Sequence, residues 1–434
     1  MYNQGEKMEQ TKTILEKLST GAYEEQLEKL YVDPARIPGQ RERYRKAVLR
    51  FEELFEPGEA EVYSAPGRSE VGGNHTDHQH GIVLAASVNL DAIAVVRRTT
   101  EPVIRILSEG YELVTVELSD LEKRAEEEGT TAALIRGMAR RLSDHGFGAA
   151  GGFCAYVTSD VLIGAGLSSS AAFEVLVGTI ISGLFYEGRI DPVEIARAAQ
   201  YAENVYFGKP SGLMDQMACS VGGLIRIDFR NPEEPVVTQV PVEFASYHYS
   251  LCIVDTKGSH ADLTPDYSAI PAEMKAAASC FGKQVLREVD EAQFMKEIPR
   301  VRKACGDRAV LRALHFFSEN RRADAEAKAL ASGEFSEFLR LVKESGTSSF
   351  QYLQNVYTCK HVEEQGVSVA LAVSEQVLGE TGVCRVHGGG FAGTIQAFVK
   401  QEAVESYRNA LDGVFGEGSC HVLQVRPIGG AKVL

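Results

Sequence analysis

The chain has 434 residues, 44% of them hydrophobic and 24% charged, and its formal net charge is −15 at pH 7. A chain of this length buries a large core, and we expect two or three domains. The acidic balance disfavours nucleic acid and anionic membranes as partners, because both attract concentrated basic surfaces. The eight cysteines form no CxxC pair, and the first twenty residues lack the apolar segment of a secretory signal. We therefore expect a cytoplasmic protein with reduced thiols.

The first part of the chain is predicted to contain helices and then a mixed sheet. Helical spacing of apolar and charged residues predicts helices at 11–31 and 41–55, with Pro34 and Pro38 between them. The strand-like texture that follows predicts strands at 92–98, 103–107, 112–118 and 152–158, and a helix at 130–145. A Gly-Ser loop then leads into an apolar helix at 171–185. Glu174 interrupts this helix, which is too short to cross a bilayer, so we expect it to be buried.

The second part is predicted to be mainly helical and to close with strands. A helix at 192–206 leads into the loop GKPSGLMDQ, and strands follow at 224–229 and 249–255. Beyond about residue 256 the pattern is helical as far as a glycine-rich turn at 388–393. This order predicts an α+β protein in three parts: a helical N-terminal extension at 1–40, an N-terminal lobe at 41–230 and a C-terminal lobe at 231–434.

The segment VLIGAGLSSSAA at 161–172 has the composition of a phosphate-binding loop. Its glycines let a polyphosphate approach the backbone, and the free N–H groups at the start of the following helix attract negative charge. Its serine hydroxyls can also ligate Mg²⁺. The segment is neither a P-loop, because it lacks the lysine, nor a GxGxxG dinucleotide motif. An ordinary serine cap on a core helix would give a similar pattern.

This segment resembles the second motif of the GHMP kinases, the family named for galactokinase, homoserine kinase, mevalonate kinase and phosphomevalonate kinase. Its Gly-Leu-Ser-Ser-Ser-Ala form is the galactokinase version. Two further motifs occur in the family's order, PGRSEVGGNHTDHQHG at 66–81 and VHGGGFAGT at 386–394. The resemblance extends from about residue 41 to the C-terminus. It implies a two-lobed GHMP kinase fold with the active site between the lobes, and a sugar-1-kinase that uses ATP and Mg²⁺ and acts on galactose.

The resemblance also implies roles for individual residues. Asp215, in GLMDQ, is the expected base beside the attacking hydroxyl, and Arg68, in PGR, is the expected arginine near it. Ser170 and Glu203 are the expected Mg²⁺ ligands. The residues expected to bind the nucleotide are Gly164, Gly166, Leu167, Ser168, Ser169, Ser170 and Ala171. The residues expected to bind the sugar are Asn74, His75, Asp77, Gly212 and Tyr267.

The first motif departs from the usual galactokinase form GRVNLIGEHTDYNGG. Asn74 stands in place of a sugar-binding glutamate, Glu70 in place of an asparagine and His78 in place of a tyrosine. Because an amide repels a carboxylate less than a glutamate does, galacturonate or another hexose derivative is an alternative substrate. If the sugar is galactose, we expect Asn74→Glu to preserve activity.

Two hypotheses come from other functional classes. The cluster His75, Asp77, His78 and His80 contains zinc-binding residue types, as a hydrolase would need, but it lacks HExxH spacing. Some relatives of galactokinase are sugar sensors without catalytic activity, which usually have a damaged serine-rich loop, whereas here the loop is intact. We expect the partners to be a sugar and ATP, and the protein to be a monomer or a weak homodimer.

Overall fold

Two β-sheets organise the chain in the computed structural model, which describes residues 8–162, 166–242, 244–259 and 262–434. Among these residues the larger sheet has nine strands and the smaller has four. The arrangement confirms the predicted α+β class and its two lobes.

The larger sheet belongs to the N-terminal lobe. The elements of this part are β1 (Glu9–Gln10), α1 (Thr11–Thr20), α2 (Glu24–Tyr31), α3 (Ile37–Phe55), β2 (Glu59–Gly72), β3 (Ile82–Thr99), β4 (Val103–Ser108), β5 (Leu113–Glu117), α4 (Thr131–Asp144), β6 (Gly152–Ser159), α5 (Ser169–Tyr186), α6 (Pro192–Tyr201), α7 (Met214–Val221), β7 (Leu224–Asp228) and β8 (Val236–Val240). Its main strand order is β1-β2-β3-β6-β4-β5, and β7 pairs with both β3 and β8. Among the described strands of this sheet, only β4 and β6 pair in parallel.

The smaller sheet belongs to the C-terminal lobe. The elements of this part are β9 (Tyr249–Asp255), α8 (Thr264–Ser279), α9 (Glu291–Lys296), α10 (Ile298–Cys305), α11 (Asp307–Ala331), α12 (Phe335–Ser348), α13 (Gly366–Leu378), β10 (Gly382–Val386), β11 (Thr394–Lys400), α14 (Val404–Phe415), β12 (Cys420–Leu423) and β13 (Ala431–Lys432). Its antiparallel order is β10-β11-β9-β12. The strand β13 returns to pair with β2 of the larger sheet, so the chain ends in the N-terminal lobe.

Two predicted helices differ from the structure in instructive ways. The helix predicted at 11–31 is divided at Gly21, which ends α1 in a left-handed conformation at φ +79°. The helix predicted at 192–206 ends as α-helix at Tyr201 and continues as a π-helical turn, Ala202–Phe207. Such turns widen the backbone and often lie at functional sites. The wider turn carries Glu203, one of the residues predicted to bind metal.

Helix α5 is the apolar helix expected to be buried. Among the described residues it alone is long and apolar enough to cross a membrane, but 67% of it is buried inside the protein. Its side chains Val175 and Ile180 lie in the main core of the N-terminal lobe, between the sheet and α4. The helix is therefore a core element that presents its N-terminus to the active site.

The N-terminal helices are tied to the sheet by the buried carboxylate of Asp91, on β3. This carboxylate accepts hydrogen bonds from Arg43 Nη1 at 2.7 Å, Arg426 Nη1 at 2.9 Å and the Tyr31 hydroxyl at 2.8 Å. Burial acts to raise its pKa, but the two guanidinium groups outweigh burial and lower it. The predicted boundary at residue 40 falls inside α3, and the three-part division stays a prediction.

We predict that Asp91→Asn destabilises the protein by about 3–5 kcal/mol, because it leaves the fully buried guanidinium of Arg426 without its ionic partner. Thermal and urea unfolding measure the effect. Asp120→Asn, which removes an exposed carboxylate paired with Arg124, is the matched control and should have little effect. An unchanged unfolding midpoint in Asp91→Asn would contradict the importance of this cluster.

Candidate active site

The position of Arg68 follows from irregularities in β2. Its pairing with β3 shifts register between Pro66 and Arg68 and again between Glu70 and Gly72. Such bulges redirect side chains from the regular alternation. Gly67 lets the phosphate loop approach, because a Cβ there would lie 2.8 Å from the carbonyl oxygen of Leu167. The backbone N–H of Arg68 donates to that same oxygen at 3.0 Å.

Arg68 and Asp215 form an ion pair with two hydrogen bonds. Nε of Arg68 donates to Oδ1 of Asp215, and Nη2 donates to Oδ2, each at 2.7 Å. The Ser168 hydroxyl also donates to Oδ2, and Nη1 of Arg68 donates to the carbonyl oxygen of Gly166. Burial acts to raise the pKa of Asp215, but Arg68 and Ser168 outweigh burial and lower it. Asp215 is therefore an ionised carboxylate next to the phosphate loop.

The phosphate loop leads directly into α5. Ser168 caps this helix in a left-handed conformation, and Ser169 and Ser170 are its first residues. The side chains of Leu167 and Ala171 are buried, so only their backbone groups are available to a nucleotide. Gly164 lies outside the described residues. The predicted roles of these residues in nucleotide binding stay predictions.

The third motif packs against this loop at Gly166. A Cβ on Gly166 would lie 3.2 Å from both His387 Nδ1 and Thr394 Oγ1, so the two motifs meet at van der Waals distance. His387 is buried, and its Nε2 lies 3.1 Å from Ser69 Oγ on β2. The three motifs, which are far apart in the sequence, thus converge.

Ser170 and Glu203, the predicted metal ligands, lie together. Ser170 Oγ is 3.3 Å from Glu203 Oε1, close to the roughly 3 Å between adjacent ligands of octahedral Mg²⁺. The carboxylate of Glu203 also accepts from Lys209 Nζ at 2.7 Å, Ser211 Oγ at 2.6 Å and Gln216 Nε2 at 2.8 Å. Oxygen donors of this kind at the start of a phosphate-binding helix fit Mg²⁺.

The predicted sugar residues contact successive carbonyls of the glycine-rich turn. Asn74 Nδ2 donates to the carbonyl oxygen of Gly388 at 2.7 Å, and the Tyr267 hydroxyl donates to that of Gly390 at 2.9 Å. His75 Nε2 lies 3.2 Å from the carbonyl oxygen of Gly389, and because a carbonyl only accepts, this nitrogen carries the proton. Burial and the nearby His78 lower the pKa of His75 to about 4. His75 is thus neutral, and its Nδ1 is an acceptor.

Asp77 and Gly212 form the other side of the candidate sugar site. A Cβ on Gly212 would lie 2.6 Å from Oδ2 of Asp77, so the absence of a side chain at 212 makes room for this carboxylate. A cavity of about 550 Å³ is lined by both residues and extends towards Tyr201 and Asn204. Gly212 precedes Asp215 by three residues in the chain, but neither Asp215 nor Arg68 lines this cavity.

The two substitutions in the first motif form one hydrogen-bonded pair. Asn74 Nδ2 donates to Glu70 Oε1 at 3.0 Å, and the same Glu70 oxygen accepts from Arg385 Nη2 at 2.7 Å. Oδ1 of Asn74 accepts from Ser349 and Asn355, so the amide is buried with its donors and acceptor used. The motif therefore keeps one amide and one carboxylate, but each stands at the position where the usual form has the other.

This exchange corrects the expectation for Asn74→Glu. A carboxylate at 74 would lie beside that of Glu70 in the buried network, instead of simply restoring a sugar contact. Like charges in a desolvated site are costly. The substitution is therefore expected to affect stability first.

The hydrolase hypothesis gains no support from the structure. Across the described ranges, no group of three or more His, Cys, Asp or Glu side chains has an arrangement that could hold a metal ion. The rings of His75 and His78 are 5.7 Å apart, and His75 is oriented by the carbonyl of Gly389.

Comparison with known proteins agrees with this geometry. The GHMP kinase N-terminal domain model matches residues 133–223, and the galactokinase galactose-binding signature matches residues 49–98. The galactokinase of Streptomyces coelicolor is 29% identical over 393 residues, which cover 89% of this chain and 97% of that protein. The chain is similar to the GHMP kinases in both of these regions and to a galactokinase over most of its length. It is a phosphotransferase that acts on a sugar hydroxyl.

Solved structures of kinases share this fold. The Lactococcus lactis galactokinase crystallised with galactose has a TM-score of 0.75 and 25% identity, and the match covers 88% of this chain and 98% of that one. A mevalonate kinase with 13% identity has a TM-score of 0.56 over 84% of this chain and 98% of that one, and this likeness shows the fold alone.

Three residues of this site were not predicted from the sequence. Lys209, Ser211 and Gln216 all donate to Glu203, and all three lie in the segment GKPSGLMDQ, which also contains Asp215. The signal in the sequence was Lys209, a cation next to Gly208 in a glycine-containing loop. Its partner could not be predicted, because only the fold brings this lysine to Glu203.

We predict that Asn74→Glu in this kinase lowers the free energy of unfolding by about 3 kcal/mol or more, because it buries a second carboxylate beside Glu70. The double variant Glu70→Asn/Asn74→Glu restores the usual family arrangement and should recover most of the loss. A thermal unfolding cycle of the two single variants and the double variant measures the coupling. Additive effects of the two substitutions would contradict the exchange.

Proposed function

We propose that this kinase transfers the γ-phosphoryl group of ATP to the anomeric hydroxyl of galactose, giving galactose 1-phosphate and ADP. The observation that carries the proposal is the Arg68–Asp215 pair, held by Ser168 and Gly166 at the start of the phosphate-binding helix. The curated relatives named galactokinase, in Streptomyces coelicolor and Lacticaseibacillus casei among others, support the choice of reaction.

Asp215 positions the attacking hydroxyl and accepts its proton. A carboxylate with a lowered pKa is a weak base, so the proton moves late, when the phosphoryl group has largely been transferred. This timing suits the loose transition state of phosphoryl transfer, in which the hydroxyl needs orientation more than deprotonation. Arg68 keeps the carboxylate ionised and fixes its plane through two hydrogen bonds.

The phosphate chain is held by the backbone and by the metal ligands. The N–H groups at the start of α5 attract the phosphates, as free helix N-termini do. Ser170 and Glu203 would hold Mg²⁺, which neutralises charge on the β- and γ-phosphates when bound. The proposed residues for the sugar are His75, Asp77, Gly212 and Tyr267, with Asn74 supporting His75 from the buried network.

Galactose is preferred to galacturonate on a specific observation. Asn74 considered alone suggests that the site has lost a carboxylate and could accept a uronic acid. Glu70, however, supplies a carboxylate within the same hydrogen-bonded pair. Arg385, the cation of this network, is already paired with Glu70 and is fully buried. The network therefore offers a substrate carboxylate no uncommitted guanidinium.

The test is a substrate screen with purified protein, ATP and Mg²⁺. Galactose, galacturonate, N-acetylgalactosamine, glucose and arabinose are compared by ADP release, and phosphorus NMR identifies the phosphorylated carbon. We expect galactose to give the highest kcat/KM and an anomeric phosphate. A higher kcat/KM for galacturonate would overturn the choice of sugar, and no ADP release with any sugar would overturn the proposed reaction.

We predict that Asp215→Asn lowers kcat by about 10² to 10⁴-fold, the usual contribution of a general base. ATP affinity should be preserved, because an amide keeps the shape of the carboxylate, while the free energy of unfolding falls, because the nearly buried Arg68 loses its ionic partner. Steady-state kinetics on galactose measure the loss. Asp144→Asn, which changes a partly exposed carboxylate on α4, is the control and should keep the wild-type rate. Near-normal turnover by Asp215→Asn would contradict its role.

We predict that Arg68→Met moves the acid limb of the kcat/KM profile to higher pH by about one to three units. In the wild type Arg68 lowers the pKa of Asp215, so activity persists below the ordinary aspartate pKa and is lost only as pH falls further. Without the guanidinium, burial dominates and raises that pKa. The double variant Arg68→Met/Asp215→Asn should lack this limb. A limb at the wild-type pH in Arg68→Met would contradict the electrostatic role of Arg68.

A further inference from the structure

Lys209 reaches the metal candidate site from an exposed loop. It lies between the π-helical turn that carries Glu203 and helix α7 that carries Asp215. Its side chain is 60% exposed, whereas that of its partner Glu203 is 4% exposed, and Nζ lies 2.7 Å from Glu203 Oε1. The long, exposed side chain of Lys209 can therefore change its conformation at little energetic cost, whereas the buried carboxylate of Glu203 stays in place.

Lys209 and the predicted metal ligand Ser170 share one oxygen atom. Both Nζ of Lys209 and Oγ of Ser170 lie against Oε1 of Glu203. Mg²⁺ bound to Ser170 and Glu203 would bind this same oxygen and would repel the ammonium group at contact distance. Metal binding at Glu203 and the Lys209–Glu203 ion pair therefore oppose each other.

The carboxylates of Asp215 and Glu174 also act on the ammonium group of Lys209. Glu174 is fully buried, and burial raises its pKa well above the ordinary value, which disfavours its charged form. Gln216 separates the two, donating to Glu174 Oε2 at 3.2 Å and to Glu203 Oε2 at 2.8 Å. The Asp215 carboxylate already accepts from Arg68 and Ser168.

The phosphate loop itself supplies no cation. Residues 161–172 contain no lysine or arginine, although phosphate sites in P-loop proteins place a lysine on the β- and γ-phosphates. Arg68, the nearest arginine of the first motif, uses Nε, Nη1 and Nη2 on Asp215 and Gly166. Because Mg²⁺ binds β- and γ-phosphate oxygens, an ammonium group displaced from Glu203 lies beside those oxygens.

We propose that Lys209 is a phosphate-binding residue of this kinase: it pairs with Glu203 in the protein alone and moves to the β- and γ-phosphates of ATP when Mg²⁺ binds Glu203. The inference rests on the proposed function in that ATP is the phosphoryl donor. It does not depend on the identity of the sugar.

The first experiment measures the equilibrium binding of ATP by isothermal titration calorimetry, without sugar, in Mg²⁺ and separately in EDTA. In Mg²⁺ we expect Lys209→Met to bind ATP about ten- to hundredfold more weakly than the wild type, the usual contribution of a hydrogen bond to a charged group. In EDTA, where Lys209 stays paired with Glu203, the loss should be smaller. Lys328→Met, in an exposed ion pair with Asp324, is the matched surface control and should not change either affinity.

The second experiment measures Mn²⁺ binding without nucleotide by electron paramagnetic resonance. Removal of the competing ammonium group should make Lys209→Met bind Mn²⁺ about two- to fivefold more tightly, the range for an ion pair with one exposed partner. Weaker ATP binding together with tighter Mn²⁺ binding supports the proposal. A residue that merely supported the shape of the site would weaken both.

Two outcomes would overturn the proposal, and they are distinguishable from failure of the proposed function. If the wild type binds ATP and Lys209→Met binds it within twofold in Mg²⁺, Lys209 does not bind phosphate, while the kinase function stands. If the wild type does not bind ATP, both fail. Lys209→Gln can still donate to Glu203 but carries no charge, so it gives the same ATP test if the methionine variant does not fold.

Discussion

The active site depends on one ion pair, between Arg68 on β2 and Asp215 on α7. Two parallel hydrogen bonds of 2.7 Å fix the plane of the carboxylate, and the third guanidinium nitrogen, Nη1, donates to the backbone carbonyl of Gly166. The pair therefore joins the first motif, the phosphate loop and the loop before α7. Because Arg68 is nearly buried, each partner requires the other, and loss of either leaves a charge with poor solvation.

A second buried network joins the two lobes at the loop that carries Asn74 and His75. Glu319 on α11 accepts from the backbone N–H groups of Gly73 and Asn74, and Arg322 and other cations lower its pKa to about 2 in spite of burial. Arg385 on β10 pairs with Glu70 on β2. Charged groups of the C-terminal lobe thus fix the backbone of the loop that carries Asn74 and His75, the loop proposed to bind the sugar. A rigid loop costs less ordering entropy when a sugar binds.

The Glu70–Asn74 pair illustrates how a departure from a family motif is to be interpreted. Considered one position at a time, Asn74 suggests the loss of a sugar-binding carboxylate and a different substrate. Considered together, the two positions contain the same amide and carboxylate, joined by a hydrogen bond of 3.0 Å. An exchange within one buried network conserves its charge, so it carries less information about the substrate than either substitution alone.

Local sequence determined much of this protein. The period-two and helical patterns predicted the strands at 152–158 and 249–255, the helix at 130–145 and the buried apolar helix, because side-chain periodicity is a property of neighbouring residues. The resemblance of the three motifs to those of the GHMP kinases likewise implied an ATP-dependent kinase. Each helix, strand and motif depends on residues close to one another in the chain.

Tertiary structure alone decided which distant residues meet. The Arg68–Asp215 pair spans 147 positions and the Glu70–Arg385 pair spans 315, and no local pattern specifies such contacts. The π-helical turn at Glu203, the reach of Lys209 and the partnership of Asn74 with Glu70 likewise depend on packing between elements. The sequence determined which chemical groups are available, and the fold determined their partners, because a buried group is stable in its charged form only where the fold brings a partner to it.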